Sequence, residues 1–352
     1  MKKLLLTFVY CLAGCYLIGC QHLPKTNTAQ PASPLSQTQS ESCLQQPSQF
    51  SLATLAWQAK LLPQHQLVGK IWDVKAQQFI SWNELLEQFC QANYVLIGEK
   101  HDNVDHHTLE RLLIAELYAY AGLKQISFEM MNQEMQPALD QVNAANEKIE
   151  QQQLKQALSW PERGWDWNVY GPTIGLAVNN GLIVKAGNVS REKIKPTKIE
   201  NNQQIKQYLT PEITAMVEKQ VSDSHCGYTM GQGNDDLVNT QSLRDFMLAQ
   251  SLVSPVEDGL VALVAGGFHV RQDVGVPIFL KSMRPGTKIL SLSMSEVADK
   301  KVVDPREYED NRLGVSPFNY ILFTPKFTDI DYCEEFLKQF KKMKSNTKQS
   351  AE

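Results

Sequence analysis

The fold is decided by the stretch Tyr94-Val-Leu-Ile-Gly-Glu-Lys-His-Asp-Asn-Val-Asp-His-His107, in which an apolar run gives way to charged and imidazole side chains. The apolar run, Tyr94 to Ile97, predicts a buried β-strand that stops at Gly98. A helix is predicted to follow, with Asp102 or Asn103 as its N-cap. It carries an apolar stripe at helical spacing: Leu109, Leu112, Leu113 and Leu117.

Further apolar runs rich in β-branched residues predict the other core strands: Gln125–Glu129, Leu182–Ala186, Leu260–Ala265, Lys288–Ser293 and Tyr320–Thr324. Two short strands and a helix are predicted to precede them, at Val68–Asp73, Gln78–Ser81 and Trp82–Gln91. Near-continuous apolarity indicates that the core strands are buried on both faces. The sequence therefore predicts an α/β fold with a mainly parallel central sheet, flanked by helices that make right-handed crossovers.

Two of the predicted crossovers, residues 130–181 and 187–259, are longer than one helix requires. Helical patterns occupy residues 133–159, 200–221 and 235–252, which lie within these crossovers. Insertions that follow the carboxyl ends of parallel strands lie over the crevice in which open α/β sheets bind ligands. We therefore expect helical insertions at about 131–180 and 192–255 to form a small inserted helical cap subdomain at that edge.

Polar side chains follow the core strands at the points where the strands end. They are Glu99 and His101, then Glu129, then Asn188 and Arg191, and finally His269. Because the carboxyl ends of parallel strands meet at one edge of a sheet, these residues are expected to line a shared crevice. This convergence is the main argument for a site that rests on the residues alone.

One short pattern occurs twice, each time directly after an apolar strand: Gly98-Glu-Lys-His101 and Gly266-Gly-Phe-His269. Glycine lets the backbone turn sharply at the sheet edge, which brings the histidine back over the turn. The alternative is two histidines that cap helices or pack in the core. His106 and Glu110, four residues apart on a helix, could chelate a divalent metal. We favour a solvated or capping role for His106, and no metal site is firmly predicted.

The N-terminus reads as a targeting signal. Lys2 and Lys3 precede an apolar run that ends in Leu17-Ile18-Gly19-Cys20, which resembles a bacterial lipobox. Residues 1–19 are therefore predicted to be a signal peptide, and Cys20 to be the lipidated first residue. A transmembrane anchor is the weaker reading, because the run is interrupted and shorter than about 20 apolar residues. Gln21 in place of aspartate leads us to expect the outer membrane, facing the periplasm or the cell surface.

The rest of the chain divides by composition. Residues 20–50 are rich in Gln, Ser, Thr and Pro and are predicted to be a flexible tether; residues 51–335 form the α/β domain, and 336–352 a basic, polar tail. Without residues 1–19 the body carries 32 basic and 38 acidic side chains, which argues against a nucleic-acid partner. The spacing of the remaining cysteines matches no metal motif, and any pairing of them is left open: Cys43, Cys90, Cys226 and Cys333.

Several segments, in this order, resemble those of the ChaN-like haem-binding lipoproteins, in a superfamily with the TIKI and TraB proteins and erythromycin esterases. They are Gly69–Asp73, Val95–Asn103 with His106-His107, Phe128-Glu129, Ala186–Arg191, His225–Gly227, Gln241–Asp245 and Gly266–His269. The resemblance implies an α/β body with a helical subdomain, and haem binding with two haems stacked across a homodimer. It also implies a role in haem or iron uptake at the outer membrane, where a haem-uptake receptor is a potential partner.

Extracytoplasmic haem carriers commonly ligate ferric iron by Tyr or His, with basic groups at the propionates. We predict Tyr228 or His225 as the axial ligand, because both lie in a glycine-rich loop of the cap. A tyrosine that merely packs in the loop is the alternative for Tyr228. Arg244 is predicted to face an anionic group such as a propionate, unless it forms a surface pair with Asp245.

Two other classes of function compete with haem binding. In the wider superfamily the Gly-x-x-His residues resemble those proposed for metal-dependent or esterase hydrolysis. Here they correspond to Glu99, His101, Glu129 and His269, with a carboxylate as general base and imidazoles as metal ligands or acid–base groups. The third class is a lipoprotein scaffold without chemistry.

Overall fold

The structure, a computed structural model, describes residues 42–338 except 45, 146, 162–163, 195–202, 228–233 and 254–258. Its sheet contains eight strands: Ile71–Asp73 (β1), Gln78–Ile80 (β2), Tyr94–Glu99 (β3), Leu123–Asn132 (β4), Ile183–Asn188 (β5), Leu260–Gly266 (β6), Ile289–Glu296 (β7) and Tyr320–Thr324 (β8). Their order across the sheet is β2-β1-β8-β7-β3-β6-β4-β5. Strands β3 to β8 are parallel to one another, whereas β1 is antiparallel to β2 and β8. The predicted mainly parallel α/β fold is confirmed.

Ten α-helices lie between or beside these strands in the described ranges. They are Trp82–Cys90 (α1), Val104–Tyr120 (α2), Gln136–Ala145 (α3), Gln151–Ala157 (α4), Trp167–Asn179 (α5), Arg191–Ile194 (α6), Gln203–Lys206 (α7), Pro211–Ser224 (α8), Asn234–Leu252 (α9) and Val276–Met283 (α10). Asn103 is the N-cap of α2, where its side chain accepts the backbone N–H groups of Asp105 and His106.

Both faces of the sheet are covered by helices. Val95 and Ile97 of β3 belong to the hydrophobic core shared with α1 to α5, whereas Tyr94 and Leu96 belong to the core shared with α9 and α10. This division follows from the alternation of side chains along a strand. It also explains why the core strands read as unbroken apolar runs, since neither face meets water.

The two long insertions take different positions in the fold. Leu154 of α4 and Ile174 of α5 pack into the larger core, so the first insertion belongs to a main helical layer and not to the cap. In the second insertion, α9 packs on the opposite face of the sheet. Among the described residues of this insertion, α8 and the first part of α9 lie over the turn after β6: Val221 and Val238 pack with Val274, and Asp245 bonds to His269. The described part of the cap is this helix pair.

Two disulfides settle the cysteine pairing that the sequence leaves open. Cys43 is bonded to Cys90 at the end of α1, and Cys226 after α8 is bonded to Cys333 in the segment after β8. The two bonds close loops of 47 and 107 residues. Cross-links over loops of this length stabilise a fold mainly by restricting the unfolded chain. The second disulfide also fixes the cap to the C-terminal segment.

Several predictions about the ends of the chain concern residues that the structure does not describe. The predicted signal peptide, Cys20 and the tether as far as residue 41 are among them, as is most of the predicted tail. Residues 332–338 form a helical turn that includes the predicted start of the tail. In the described part of the chain, no helix has the length and apolarity needed to cross a bilayer.

Replacing Gly98 by alanine should test how tightly the centre of the sheet is packed. A Cβ there would lie 2.5 Å from Cγ2 of Val270 and 3.2 Å from the Leu292 carbonyl oxygen. We expect Gly98→Ala to lower the free energy of unfolding by about 1–3 kcal/mol, the usual cost of overpacking a core. The measurement is urea denaturation with the disulfides intact.

The neighbouring Gly267→Ala is the matched control, because its Cβ would meet nothing closer than the Glu99 carbonyl oxygen at 3.7 Å. Equal stability of the two variants would contradict the packing seen around Gly98.

Candidate functional site

His269, in the turn after β6, lies between two buried carboxylates. Its Nε2 is 3.2 Å from Oε1 of Glu129 on β4, and its Nδ1 is 2.6 Å from Oδ1 of Asp245 on α9. The other oxygen of Glu129 accepts the backbone N–H of Gly266 at 2.7 Å. All three side chains are less than a tenth exposed. The imidazole of His269 thus links the end of β6 to β4 and α9.

The surroundings of His269 hold it as a cation. Burial alone would lower the pKa of His269, but the negative charges of Glu129 and Asp245 raise it to about 10. In the same way, His269 and the Gly266 N–H outweigh the burial of Glu129 and hold the pKa of that carboxyl well below its usual range. Burial raises the pKa of Asp245. The group behaves as a buried imidazolium between two acidic side chains.

The other Gly-x-x-His turn faces the first one. Nδ1 of His101 is 2.5 Å from Oε1 of Glu99, which also accepts the Tyr170 hydroxyl at 3.2 Å. A Cβ added to Gly266 would lie 2.9 Å from Nε2 of His101, so the imidazole lies directly over this glycine. The backbone N–H of Gly267 donates to the Glu99 carbonyl oxygen at 2.9 Å. The two turns are therefore parts of one site, as their repetition in the sequence predicted.

Charge and aromatic contacts define the orientation of His101. Burial by itself lowers its pKa, but the hydrogen bond to Glu99 and the charge of that carboxylate raise the pKa above its usual value. The ring stacks edge-on against Trp165, with 4.8 Å between the centroids. Because 41% of its side chain remains exposed, His101 can donate to a ligand in front of it.

A third cluster lies behind Glu99, on the first turns of α2. His107 and Glu110 are both buried there, with 3.6 Å between Nδ1 and Oε2. Burial and the charge of Glu99 raise the pKa of Glu110 to about 7. The predicted partner of Glu110, His106, is instead bonded to the Lys100 backbone N–H and the Thr324 hydroxyl, and its pKa is lowered to about 3 by burial. Of the two roles predicted for His106, solvated or capping, the solvated one was wrong, because the side chain is buried and both its nitrogens have hydrogen-bond partners.

The exposed side of the site opens into a cleft of about 1070 Å³. Its walls come from both Gly-x-x-His turns, from the end of α8 and from the C-terminal segment, and include Lys100, Asp102, Val221, Phe268 and Tyr332. Lys100 forms ion pairs with Asp102 and Glu296, and the Tyr332 hydroxyl donates to Asp102. The cleft thus has apolar side chains next to charged ones of both signs, with the acidic residues Glu99, Asp102, Asp223, Asp331 and Glu335 beside Lys100 and His101.

The remaining predicted crevice residues are not brought to this cleft by the described contacts. Asn188 is buried at the end of β5, the edge strand, and its Oδ1 accepts the next backbone N–H, that of Val189. The backbone of Arg191 lies at the start of α6, and its side chain is outside the described atoms. Of the six residues that the sequence places at the crevice, the structure therefore brings four together: Glu99, His101, Glu129 and His269.

Of the predicted haem-binding residues, His225 ends α8, and its Nδ1 donates to the Val221 carbonyl at 2.8 Å. Tyr228 lies outside the described residues. Arg244 does not pair with Asp245, since that carboxylate bonds to His269, and within the described chain its Nε is buried without a hydrogen-bond partner.

Sequence reasoning missed three contributors to the site. Asp245 was read as a possible surface partner of Arg244, yet it is the second carboxylate of His269. Tyr170 on α5 and Tyr332 in the C-terminal segment were not singled out. The only sequence signal near Tyr170 is the aromatic stretch Trp160-Pro-Glu-Arg-Gly-Trp-Asp-Trp167, whose last residue begins α5.

The charge state of His269 predicts a dependence of stability on pH. Its folded pKa of about 10 exceeds the unfolded value of about 6.5, so its contribution is full below pH 6.5 and is lost as the pH rises toward 10. At pH 6, we expect His269→Gln to cost about 3–5 kcal/mol, because two buried carboxylates lose their counter-charge. Urea denaturation at pH 6, 8 and 10 should show this cost shrinking; a cost that stays constant would contradict the cationic state.

Comparison with known proteins agrees with this geometry. A family model described as haem-binding uptake, Tiki superfamily, ChaN matches residues 85–280, which include both Gly-x-x-His turns. A comparison with curated proteins gives no match. The structure of ChaN of Campylobacter jejuni, described as binding cofacial haem, is 22% identical with a TM-score of 0.57, over 72% of this chain and 95% of that one.

Two bacterial effectors resemble the fold more distantly. They are the MARTX toxin effector domain RRSP of Vibrio vulnificus and the type III effector HopBA1, both 13% identical, with TM-scores of 0.36 and 0.37. The matches cover 60% and 69% of this chain, and 35% and 93% of theirs. Scores this low support no argument about the site. The family model, by contrast, covers more than half of the sequence. The chain belongs to the ChaN family of haem-binding uptake proteins, within the Tiki superfamily.

Proposed function

We propose that this protein is a lipoprotein anchored to the outer membrane that binds haem in the cleft between the sheet edge and the α8 cap, and that it serves haem or iron uptake. The observation that carries the proposal is the cleft itself, about 1070 Å³, which lies against both family turns. A cavity of this size exceeds the usual range for small-molecule sites, about 300–1000 Å³. Membership of the haem-binding uptake family supports haem as the occupant.

The residues around the cleft fit a haem group. Val221 and Phe268 offer apolar surface for the porphyrin, while His101 and Lys100 offer donors for its propionates. His101 suits this role because Glu99 occupies its Nδ1 and favours the protonated ring, which leaves an Nε2–H free to donate. Bound haem would supply a ferric iron that accepts an axial protein ligand.

His225 is arranged as histidines at metals commonly are. A carbonyl oxygen can only accept, so the 2.8 Å contact with Val221 places the proton of a neutral His225 on Nδ1 and the lone pair on Nε2. Tyr228 follows three residues later, and a tyrosinate is a second common ligand in haem carriers. We propose that one of these two residues ligates the iron.

A hemin titration tests the haem site. Hemin added to purified residues 21–352 should give a shifted Soret band, and the His225→Ala, Tyr228→Phe double variant should bind at least tenfold more weakly. The control is His65→Ala with Tyr118→Phe, which removes the same groups from the segment before β1 and from α2. A wild-type spectrum identical to that of free hemin would refute the proposal.

The oligomer follows from the same proposal. ChaN of Campylobacter jejuni is described as binding cofacial haem, and we propose that two protomers of this chain likewise enclose a pair of haems. One hemin per protomer, with a mass that doubles on addition of hemin, supports this arrangement. A haem-uptake receptor is the proposed membrane partner.

The lipid anchor has its own test. We expect Cys20→Ser to abolish incorporation of radioactive palmitate and to release the protein from outer-membrane fractions, because Cys20 follows the lipobox-like Leu17-Ile18-Gly19. Cys15→Ser, five residues earlier in the same apolar run, is the matched control and should keep the label. Labelling that depends on Cys15 and not on Cys20 would contradict the assignment.

Hydrolysis remains a second candidate function, favoured by the convergence of Glu99, His101, Glu129 and His269. Metal ligation by His269 is disfavoured because both ring nitrogens are already bonded to carboxylates. Any chemistry at this point would therefore use the imidazolium as an acid, with no metal at His269.

A further inference from the structure

Of the buried cluster behind the cleft, the proposed haem site uses only Oε1 of Glu99, and His107 and Glu110 have no role in it. Glu99 ends β3, and His107 and Glu110 lie on the first turns of α2. One ligand atom of each residue lies within 4.8 Å of the other two. The exposed fractions of Glu99 and Glu110 are 4% and 1%, so solvent does little to screen the two carboxylates from each other.

With Glu110 ionised and His107 neutral, this cluster has more hydrogen-bond acceptors than donors. His107 Nε2 is 3.0 Å from the His101 carbonyl oxygen, which can only accept, so Nε2 carries a proton. The distance from Nδ1 to Glu110 is 3.6 Å, too long for a hydrogen bond. Within the described part of the chain, His107 Nδ1, Glu99 Oε2 and Glu110 Oε1 are all buried without a hydrogen-bond partner.

We propose that Glu99, His107 and Glu110 bind a divalent first-row transition-metal ion, at a buried site that lies behind the haem cleft and shares Glu99 with it. Buried acceptors without donors are costly, and a cation among them would satisfy all three. A ring N–H bonded to a backbone carbonyl is the arrangement that metal-bound histidines usually show. The site goes beyond haem binding and does not depend on it.

The donor set indicates which ions fit. An imidazole with two carboxylates favours Zn²⁺ or Mn²⁺ over Mg²⁺ or Ca²⁺, which prefer oxygen donors alone. Zn²⁺ holds nitrogen and oxygen at about 2.0–2.2 Å, and the 3.6 Å between His107 Nδ1 and Glu110 Oε2 is close to the separation of two such ligands on one ion. The Tyr170 hydroxyl and His101 meanwhile hold the other oxygen of Glu99.

Such an ion would also position a cleft residue. Glu99 offers Oε2 to the ion while its Oε1 bonds to His101 Nδ1 at 2.5 Å. The ion would fix this carboxylate, and the carboxylate would fix the imidazole. His101 would then be held in the cleft by a chain of contacts that begins at the buried metal.

The test begins with the full chain, purified in detergent without chelators. Mass spectrometry of the elements should find about one zinc or manganese ion per chain. After the metal is removed, the affinity for Zn²⁺ and Mn²⁺ is measured by calorimetric titration with ZnCl₂ and MnCl₂. The Tm is then measured by thermal unfolding with and without each ion. Glu110→Gln should weaken Zn²⁺ binding at least tenfold and abolish the rise in Tm that Zn²⁺ produces. Glu116→Gln, the same change further along α2, should keep both.

The stability of the metal-free protein distinguishes a folding defect in Glu110→Gln from the loss of a metal-coordinating carboxylate. Metal-free Glu110→Gln should be at least as stable as the metal-free wild type, because glutamine removes a charge that repels Glu99. The proposal is overturned if the wild type binds neither ion, which would leave only an ion pair between His107 and Glu110. It is equally overturned if Glu110→Gln binds zinc as the wild type does, or if binding is lost only when His101 and His269 are both replaced.

Discussion

The pairing of one imidazolium with two buried carboxylates is the constraint on which the site depends. His269 reaches Glu129 on β4 through one nitrogen and Asp245 on α9 through the other, so a strand, a helix and the turn after β6 are held at one point. Each partner would be a costly buried charge without the others. The turn is therefore fixed from two sides, and its backbone provides a rigid surface against which the other residues of the site pack.

The contacts of His101 with this turn restrict its orientation. His101 lies over Gly266, whose missing side chain provides the room, and the Gly267 N–H bonds to the backbone of Glu99. Glu99 in turn joins the cleft to the cluster at His107 and Glu110. The two turns, the cleft and the buried cluster thus form one continuous network across β3 and β6.

The fold and half of the site could be predicted because they depend on local patterns. Apolar runs define strands, and a polar residue directly after a strand must lie at the sheet edge, so Glu99, His101, Glu129 and His269 were found. The wrong predictions concern which of two neighbouring residues on a helix faces the site. On α2, His107 and not His106 faces Glu110, and on α9, Asp245 and not Arg244 faces His269. Neighbouring helical residues point about 100° apart, and only tertiary packing selects between them.

The Cys226–Cys333 bond has a consequence for how the cleft can open. It joins the end of the cap to the C-terminal segment, and both cysteines line the cleft. These two walls of the cleft cannot separate at this point while the disulfide is intact. The width of the cleft between these two walls is therefore set by a covalent bond, and reduction of that bond would release it.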